Sequence, residues 1–146
     1  MFAATLGTIL YPACRFLRPR AGTVSGASEV VAPFRVDELP HAPGNPFNFG
    51  GKPCLVVLTP QGARRLSQRE RLQAEDVKAF NAICTHTECT VAYRADRGDI
   101  FCGCHEGVYD HNGRNVSGPP PRPLESYKVA LRGAPGKEEI IISRES

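Results

Sequence analysis

Two short segments decide how this chain is interpreted: Cys84–Cys89, "CTHTEC", and Cys102–His105, "CGCH". Together they bring four of the six cysteines and two of the four histidines into 22 residues. Thiolate sulfur and imidazole nitrogen are the ligands that zinc and iron–sulfur centres use. So dense a group of these side chains predicts a metal centre rather than scattered core residues.

Each segment offers one cysteine and one histidine, as Cys84-x-His86 and as Cys102-x-x-His105. A zinc finger usually places its two cysteines in one half and its two histidines in the other. The mixed pairs suit a two-iron cluster in which two thiolates hold one iron and two imidazoles hold the other. A structural zinc module without redox activity is the alternative of another class.

The remaining cysteines of the two segments, Cys89 and Cys104, have no metal role in this scheme. If the two loops surround one cluster, these cysteines face each other, and a disulfide between them would join the loops. Such a bond forms in an oxidising compartment.

The length of 146 residues suits one domain with a tail, and the net charge of +3 is too small and too evenly spread to indicate nucleic-acid binding. The pattern is that of an all-β, antiparallel protein. The predicted strands are 29–36, 54–59, 77–84, 91–94, 100–102, 107–115 with a turn at Asn112-Gly113, 127–132 and 139–143. Cys54 is predicted to be a buried side chain of its strand.

Three stretches lie between these strands. Leu39–Pro53 carries so many prolines and glycines that it is predicted to be irregular. The charged segment 61–76 predicts either a hairpin tip or a short helix. Ser117–Pro123, "SGPPPRP", predicts a stiff, extended loop.

The N-terminal segment 1–17 includes the apolar run "FAATLGTILYPACRFL", which is shorter than the roughly 20 residues of a membrane-spanning helix. It is interpreted as the remnant of a membrane anchor, with the helix of a soluble protein as the alternative. Arg15, Arg18 and Arg20 favour a cytoplasmic side, opposite to the side that a disulfide implies. The Gly- and Ser-rich segment 18–28 predicts a flexible linker.

The two segments resemble the boxes C-T-H-x-G-C and C-P-C-H-G-S of the Rieske iron–sulfur proteins. Cys89 and Cys104 give the disulfide-bearing version, typical of the Rieske subunit of cytochrome bc-type quinol oxidoreductases. Val108–Leu124 is similar to the aromatic-Asp pair and the covering proline loop of that family, and the N-terminus looks like the end of its anchor. The resemblance implies a Rieske-type antiparallel β-sandwich over residues 29–146, with a cluster-binding subdomain at about 83–123.

The resemblance also assigns residues. Cys84 and Cys102 would hold one iron of a [2Fe-2S] cluster, and His86 and His105 would hold the other. Cys89 and Cys104 would form the disulfide, and the Tyr109 hydroxyl would bond to a ligand sulfur. Further residues around the cluster would be Gly107, Gly118, Pro119 and Pro120.

The implied function is one-electron transfer in a membrane complex. Quinol bound in a cytochrome b subunit would contact His105, which would accept its proton, and the electron would pass to a cytochrome c-type acceptor. The N-terminus would anchor the domain on the periplasmic or outer side. The alternatives are a Rieske subunit of a molybdenum oxidase and a soluble Rieske ferredoxin of an oxygenase, although such ferredoxins generally lack the disulfide pair.

Three residues of the second box depart from the family pattern: Gly103 replaces proline, Glu106 replaces glycine and Gly107 replaces serine. The family's serine donates a hydrogen bond to a bridging sulfide and so favours the reduced cluster. Its loss, with the negative charge of Glu88 and Glu106, predicts a reduction potential lower than in the serine-bearing relatives. A low potential would suit oxidation of menaquinol.

Overall fold

The fold is mostly β, with every strand pair antiparallel, as the sequence predicted. A computed structural model describes residues 29–39, 44 and 46–144, so the predicted anchor and linker at 1–28 lie outside the described residues. Within the described ranges, no helix has the length and apolar character that crossing a membrane requires. The strands are β1 Glu29–Arg35, β2 Phe47–Phe49, β3 Lys52–Leu58, β4 Val77–Asn81, β5 Ala92–Arg94, β6 Asp99–Cys102, β7 Gly107–Tyr109, β8 Asn115–Ser117, β9 Ser126–Arg132 and β10 Glu139–Ser143.

A six-stranded sheet of order β1-β10-β9-β4-β3-β2 forms the base of the molecule. β9 joins its two halves, because Lys128–Arg132 pairs with β10 while Ser126 and Tyr127 pair with β4. Residues of both halves meet in one apolar cluster, which includes Ile140 of β10 and Val56 of β3. Strand switching of this kind lets one sheet curve over its own core.

A second sheet of order β5-β6-β7-β8 packs on the other face of β3 and β4. Successive side chains of a strand point to opposite faces. In β3, Cys54 and Val56 therefore enter the first cluster, while Leu55 and Val57 enter a second cluster. This second cluster also contains Cys84 and Cys102, so the base sheet directly supports the predicted metal ligands.

The segment 61–76 contains a short helix, which decides between its two predicted structures. Helix α1 spans Pro60–Ser67. Thr59 caps it, since its hydroxyl accepts a hydrogen bond from the Gly62 N–H at 3.0 Å. Pro60 stands in the first turn, where a missing N–H has no intrahelical partner to lose.

The prediction that Leu39–Pro53 is irregular is wrong for its last part. Phe47–Phe49 is strand β2, and β3 already begins at Lys52. Gly50 and Gly51 form the connection with φ of 57° and 86°, and the type I′ hairpin turn needs such positive φ values at both of its central residues. Composition alone marked the segment as irregular because the turn glycines and Pro53, which lies within β3, raise the same count.

Candidate metal centre

Two six-residue loops carry the predicted ligands. The first loop, 84–89, is closed by a hydrogen bond from the Cys84 N–H to the Cys89 carbonyl at 2.8 Å. The second loop, 102–107, joins β6 to β7, whose end residues Cys102 and Gly107 pair across the ladder. Both loops are therefore tight tips with fixed ends, which is the arrangement that positions ligand side chains.

A disulfide bond joins the two loops through Cys89 and Cys104. The resemblance implied this pairing, and the structure contains it. The two cysteines are 15 residues apart in sequence and lie on different loops, so the bond holds the two loops side by side.

The four predicted ligands divide into two buried thiols and two exposed imidazoles. Cys84 and Cys102 are 2% and 1% exposed. His86 and His105 lie at the surface with their ring centroids 4.8 Å apart. The sulfurs of Cys89, Cys102 and Cys104 also lie within 4.8 Å of one another, but two of them share the disulfide, so only Cys102 retains a thiol there.

The Tyr109 hydroxyl lies 3.4 Å from Cys84 Sγ, the kind of contact that the resemblance implied. It also accepts a hydrogen bond from the Thr85 N–H at 3.1 Å and lies 3.2 Å from Thr85 Oγ1. Thr85 Oγ1 donates its proton to the Arg122 carbonyl at 2.8 Å, because a carbonyl can only accept. The single Tyr109 proton can then go to Thr85 Oγ1 or to Cys84 Sγ, and when Cys84 is a thiolate the sulfur can only accept it.

The two buried thiols differ in acidity. Burial raises the pKa of the Cys84 thiol, but hydrogen bonds from the Tyr109 hydroxyl, the His86 backbone and the Cys102 thiol bring that pKa below its ordinary value. Burial raises the pKa of the Cys102 thiol, and the neighbouring Cys84 raises it further. A cysteine binds a metal as the thiolate, so the lowered pKa of Cys84 favours the form that binds a metal.

The proline loop, residues 118–123, covers the second loop. Pro120 is buried and Pro119 is exposed. The Pro120 carbonyl accepts from Asn115 Nδ2 at 3.2 Å, and the Arg122 carbonyl accepts from Thr85 as described. The loop is thus tied both to its own sheet and to the first loop.

Several neighbours of the ligands were not predicted as site residues from the sequence. Thr85 links Tyr109 to the proline loop, and Thr87 Oγ1 lies 3.4 Å from His105 Nδ1. The sequence of the first box does not predict these contacts, because the partners Tyr109, Arg122 and His105 lie far along the chain. A cleft of about 840 Å³ beside the first loop is lined in part by Cys84 and His86.

The fifth residue of each loop has a left-handed backbone. Glu88 has φ of 59° and Glu106 has φ of 55°. These are the two positions at which the resembled boxes carry glycine, which adopts this conformation without steric cost. The chain keeps the loop geometry with glutamate side chains that are both exposed.

Comparison with known families identifies this arrangement. The model of the Rieske [2Fe-2S] domain matches residues 29–128. The chain belongs to the Rieske [2Fe-2S] family. The two boxes, the disulfide and the two-sheet fold are thus the parts of a Rieske domain, and the donor set of two thiols and two imidazoles fits its cluster.

Relatives of known role are similar over most of this Rieske chain. The cytochrome b6-f complex iron-sulfur subunit of Chlorobaculum thiosulfatiphilum is 29% identical over 135 residues, covering 92% of this chain and 64% of that protein. The menaquinol:cytochrome c reductase iron-sulfur subunit of Bacillus subtilis is 31% identical over 129 residues, covering 86% and 75%. The chain spans 64% of the length of the first of these relatives.

A solved structure shows the same fold. The cyanobacterial plasma membrane Rieske protein from Synechocystis PCC 6803 superposes with a TM-score of 0.60 at 23% identity, covering 78% of this chain and 98% of that one.

Proposed function

We propose that the chain is an electron-transfer subunit of a cytochrome bc-type complex and carries a [2Fe-2S] cluster at the two loop tips. Cys84 and Cys102 would hold one iron, and His86 and His105 would hold the other. The observation that carries the proposal is the division of the donor set into buried thiols and exposed imidazoles on two loops joined by a disulfide. When bound, the cluster supplies a site that accepts and gives up one electron.

The chain's own residues prepare the site for this use. The exposed rings of His86 and His105 offer a nitrogen to a docked partner, and His105 is proposed to contact quinol and to accept its proton there. The Tyr109 hydroxyl donates to Cys84 Sγ and orients it, while Leu124 and Ile100 keep water from the sulfurs.

The proposed complex delivers the electron from quinol in a cytochrome b subunit to a cytochrome c-type acceptor. The named roles of the two relatives support this proposal. The disulfide supports an oxidising, periplasmic or outer side of the membrane. Segment 1–17 is proposed as the anchor remnant, 18–28 as the linker, and 29–146 as the Rieske domain with its cluster-binding part at about 83–123.

Menaquinol is the proposed electron source. The exposed carboxylates of Glu88 and Glu106 and the absence of a hydroxyl at Gly107 oppose the added electron. The test equilibrates the purified full chain with a menaquinol analogue and, separately, with a ubiquinol analogue. We expect substantial reduction by the menaquinol analogue and little by the ubiquinol analogue. Full reduction by both would contradict the low-potential assignment.

Transfer to the acceptor is tested with the same protein. The reduced full chain, freed of excess reductant, is mixed with oxidised cytochrome c, and one electron per chain is expected to appear on the cytochrome. Cys84→Ser, which removes a proposed ligand, is the control and is expected to transfer none. Equal cytochrome reduction by both proteins would mean that the electron does not come from this site.

A further inference from the structure

The contact between the second loop and the proline loop leaves no room for a side chain at position 107. A Cβ placed on Gly107 would lie 2.6 Å from Pro120 Cγ and 3.0 Å from Pro120 Cδ. Carbon atoms in contact normally lie 3.5–4.0 Å apart, so the nearer distance is about 1 Å too short. Any residue other than glycine would therefore have to displace Pro120.

Gly118 makes the same contact from the other side. Its φ of +86° favours glycine, and a Cβ on it would lie 2.8 Å from Gly107 Cα and 2.9 Å from the Glu106 carbonyl oxygen. The proline loop thus rests directly on the backbone of residues 106 and 107. The two backbones can approach this closely because neither Gly107 nor Gly118 has a side chain.

The proline loop has little freedom to move away from such a clash. Proline fixes φ, and Pro119–Pro121 places three of these residues in sequence. Pro120 is itself buried, its carbonyl is bonded to Asn115 Nδ2, and the Arg122 carbonyl is bonded to Thr85 Oγ1. A side chain at 107 would strain these contacts together.

We propose that Gly107 is a positioning residue: by lacking a side chain it lets Pro120 seat on the second loop, so that the proline loop fills the space which the family's serine side chain would need. The site thereby loses a hydroxyl donor and gains closer packing of the proline loop on the backbone of residues 106 and 107. Gly107 and Pro120 then form one unit, and changing either alone disturbs the cover. This inference rests on the proposed iron–sulfur site for its effects on the redox equilibrium and on cluster loss, but not for its effect on thermal stability.

The proposal makes a simple Gly107→Ser exchange uninformative about the serine hydroxyl, because the clash acts at the same time. Pro120→Ala removes both clashing atoms, Cγ and Cδ, and opens the space. The hydroxyl of Gly107→Ser is therefore expected to raise the reduction potential only in the Pro120→Ala background.

The first measurement is a double-mutant cycle on the full chain with its cluster, using Gly107→Ala and Pro120→Ala, with thermal midpoint and rate of cluster loss as readouts. We expect Gly107→Ala to lower the midpoint and speed cluster loss markedly alone, and much less when Pro120→Ala is present. Pro119→Ala, at the exposed neighbouring proline, is the matched control and should leave the effect of Gly107→Ala unchanged. Equal effects of Gly107→Ala in the Pro120→Ala and native backgrounds would overturn the proposal.

The second measurement separates positioning from general stability. Midpoint potential and electron paramagnetic resonance g-values are compared for Gly107→Ser and Gly107→Ala, both in the Pro120→Ala background. The serine is expected to shift the reduction equilibrium by about tenfold, ~59 mV for one electron, and to alter the g-values. Identical potentials for the two variants would overturn the claim that the site lost a hydroxyl donor when the proline loop took its space.

Should the Gly107 variants not fold, Pro120→Ala alone still tests the cover. Faster cluster loss than in Pro119→Ala supports the proposal, and equal rates contradict it. If the unaltered protein proves to hold no iron or sulfide, the proposed function fails, while the thermal cycle still reports whether Gly107 and Pro120 are coupled.

Discussion

Replacing Tyr109 with phenylalanine removes a single buried hydroxyl and should change both the redox equilibrium and the stability. The Tyr109 side chain is fully buried, and its hydroxyl contacts Cys84 Sγ, Thr85 N–H and Thr85 Oγ1. A thiolate sulfur at Cys84 can only accept, so the Tyr109 hydroxyl is the donor that stabilises its negative charge, with Thr85 Oγ1 as the competing acceptor.

The size of the redox effect follows from this one bond. A hydrogen bond to a charged group contributes about 1.5–3 kcal/mol. If about half of this depends on the extra electron, Tyr109→Phe lowers the potential by about 30–60 mV, which is roughly a three- to tenfold change in the reduction equilibrium. The Thr85 N–H also loses its acceptor, which costs about 1–2 kcal/mol of folding free energy in a partly buried site.

The assay is a redox titration of the full chain followed by electron paramagnetic resonance, with a thermal melt on the same samples. Tyr93→Phe is the matched control, because Tyr93 packs against the same apolar cluster and has no hydrogen bond to the ligand loops among the described residues. An unchanged potential in Tyr109→Phe, or an equal fall in both variants, would refute the reasoning.

Two further predictions concern the cysteines. Changing Cys89 and Cys104 together to serine is expected to cost about 3 kcal/mol and to speed cluster loss, since the bond closes a loop of sequence separation 15; an unchanged thermal midpoint would contradict this. Burial raises the pKa of Cys54 to about 12 from 9.0, so at pH 8 its thiol stays neutral in the folded protein and should react with iodoacetamide roughly 1,000-fold more slowly than in urea. The same raised pKa means that this thiol's contribution to stability is complete below about pH 9 and is lost as the pH rises towards 12. Peptide mass spectrometry measures the labelling, and rapid native labelling of Cys54 would count against its burial.

The local patterns in the sequence carried the predictions that the structure confirms. Alternation in β1 and β4 predicted antiparallel strands, because burial of alternate side chains leaves a period-two pattern, and the short apolar run of β3 predicted a buried strand. The buried position of Cys54 follows from the same pattern. The disulfide partners could be named because the resembled boxes place one spare cysteine in each loop.

Features that depend on turn geometry or on how distant segments meet were not predicted. Phe47–Phe49 is a strand because Gly50 and Gly51 form a tight turn, and a count of glycines does not separate a turn from an irregular loop. Thr85 reaches the carbonyl of Arg122, 37 residues away, and Gly107 packs on Pro120. Such contacts arise only when the two loops and the proline loop are assembled, so residue type alone does not reveal them.

The most direct test of the account measures iron, acid-labile sulfide and zinc in the purified full chain and records its electron paramagnetic resonance spectrum after dithionite reduction. We predict two irons and two sulfides per chain, with the low-average-g signal of a histidine-ligated cluster. One zinc per chain and no such signal would contradict the central claim, because the same thiols and imidazoles would then be a structural zinc site.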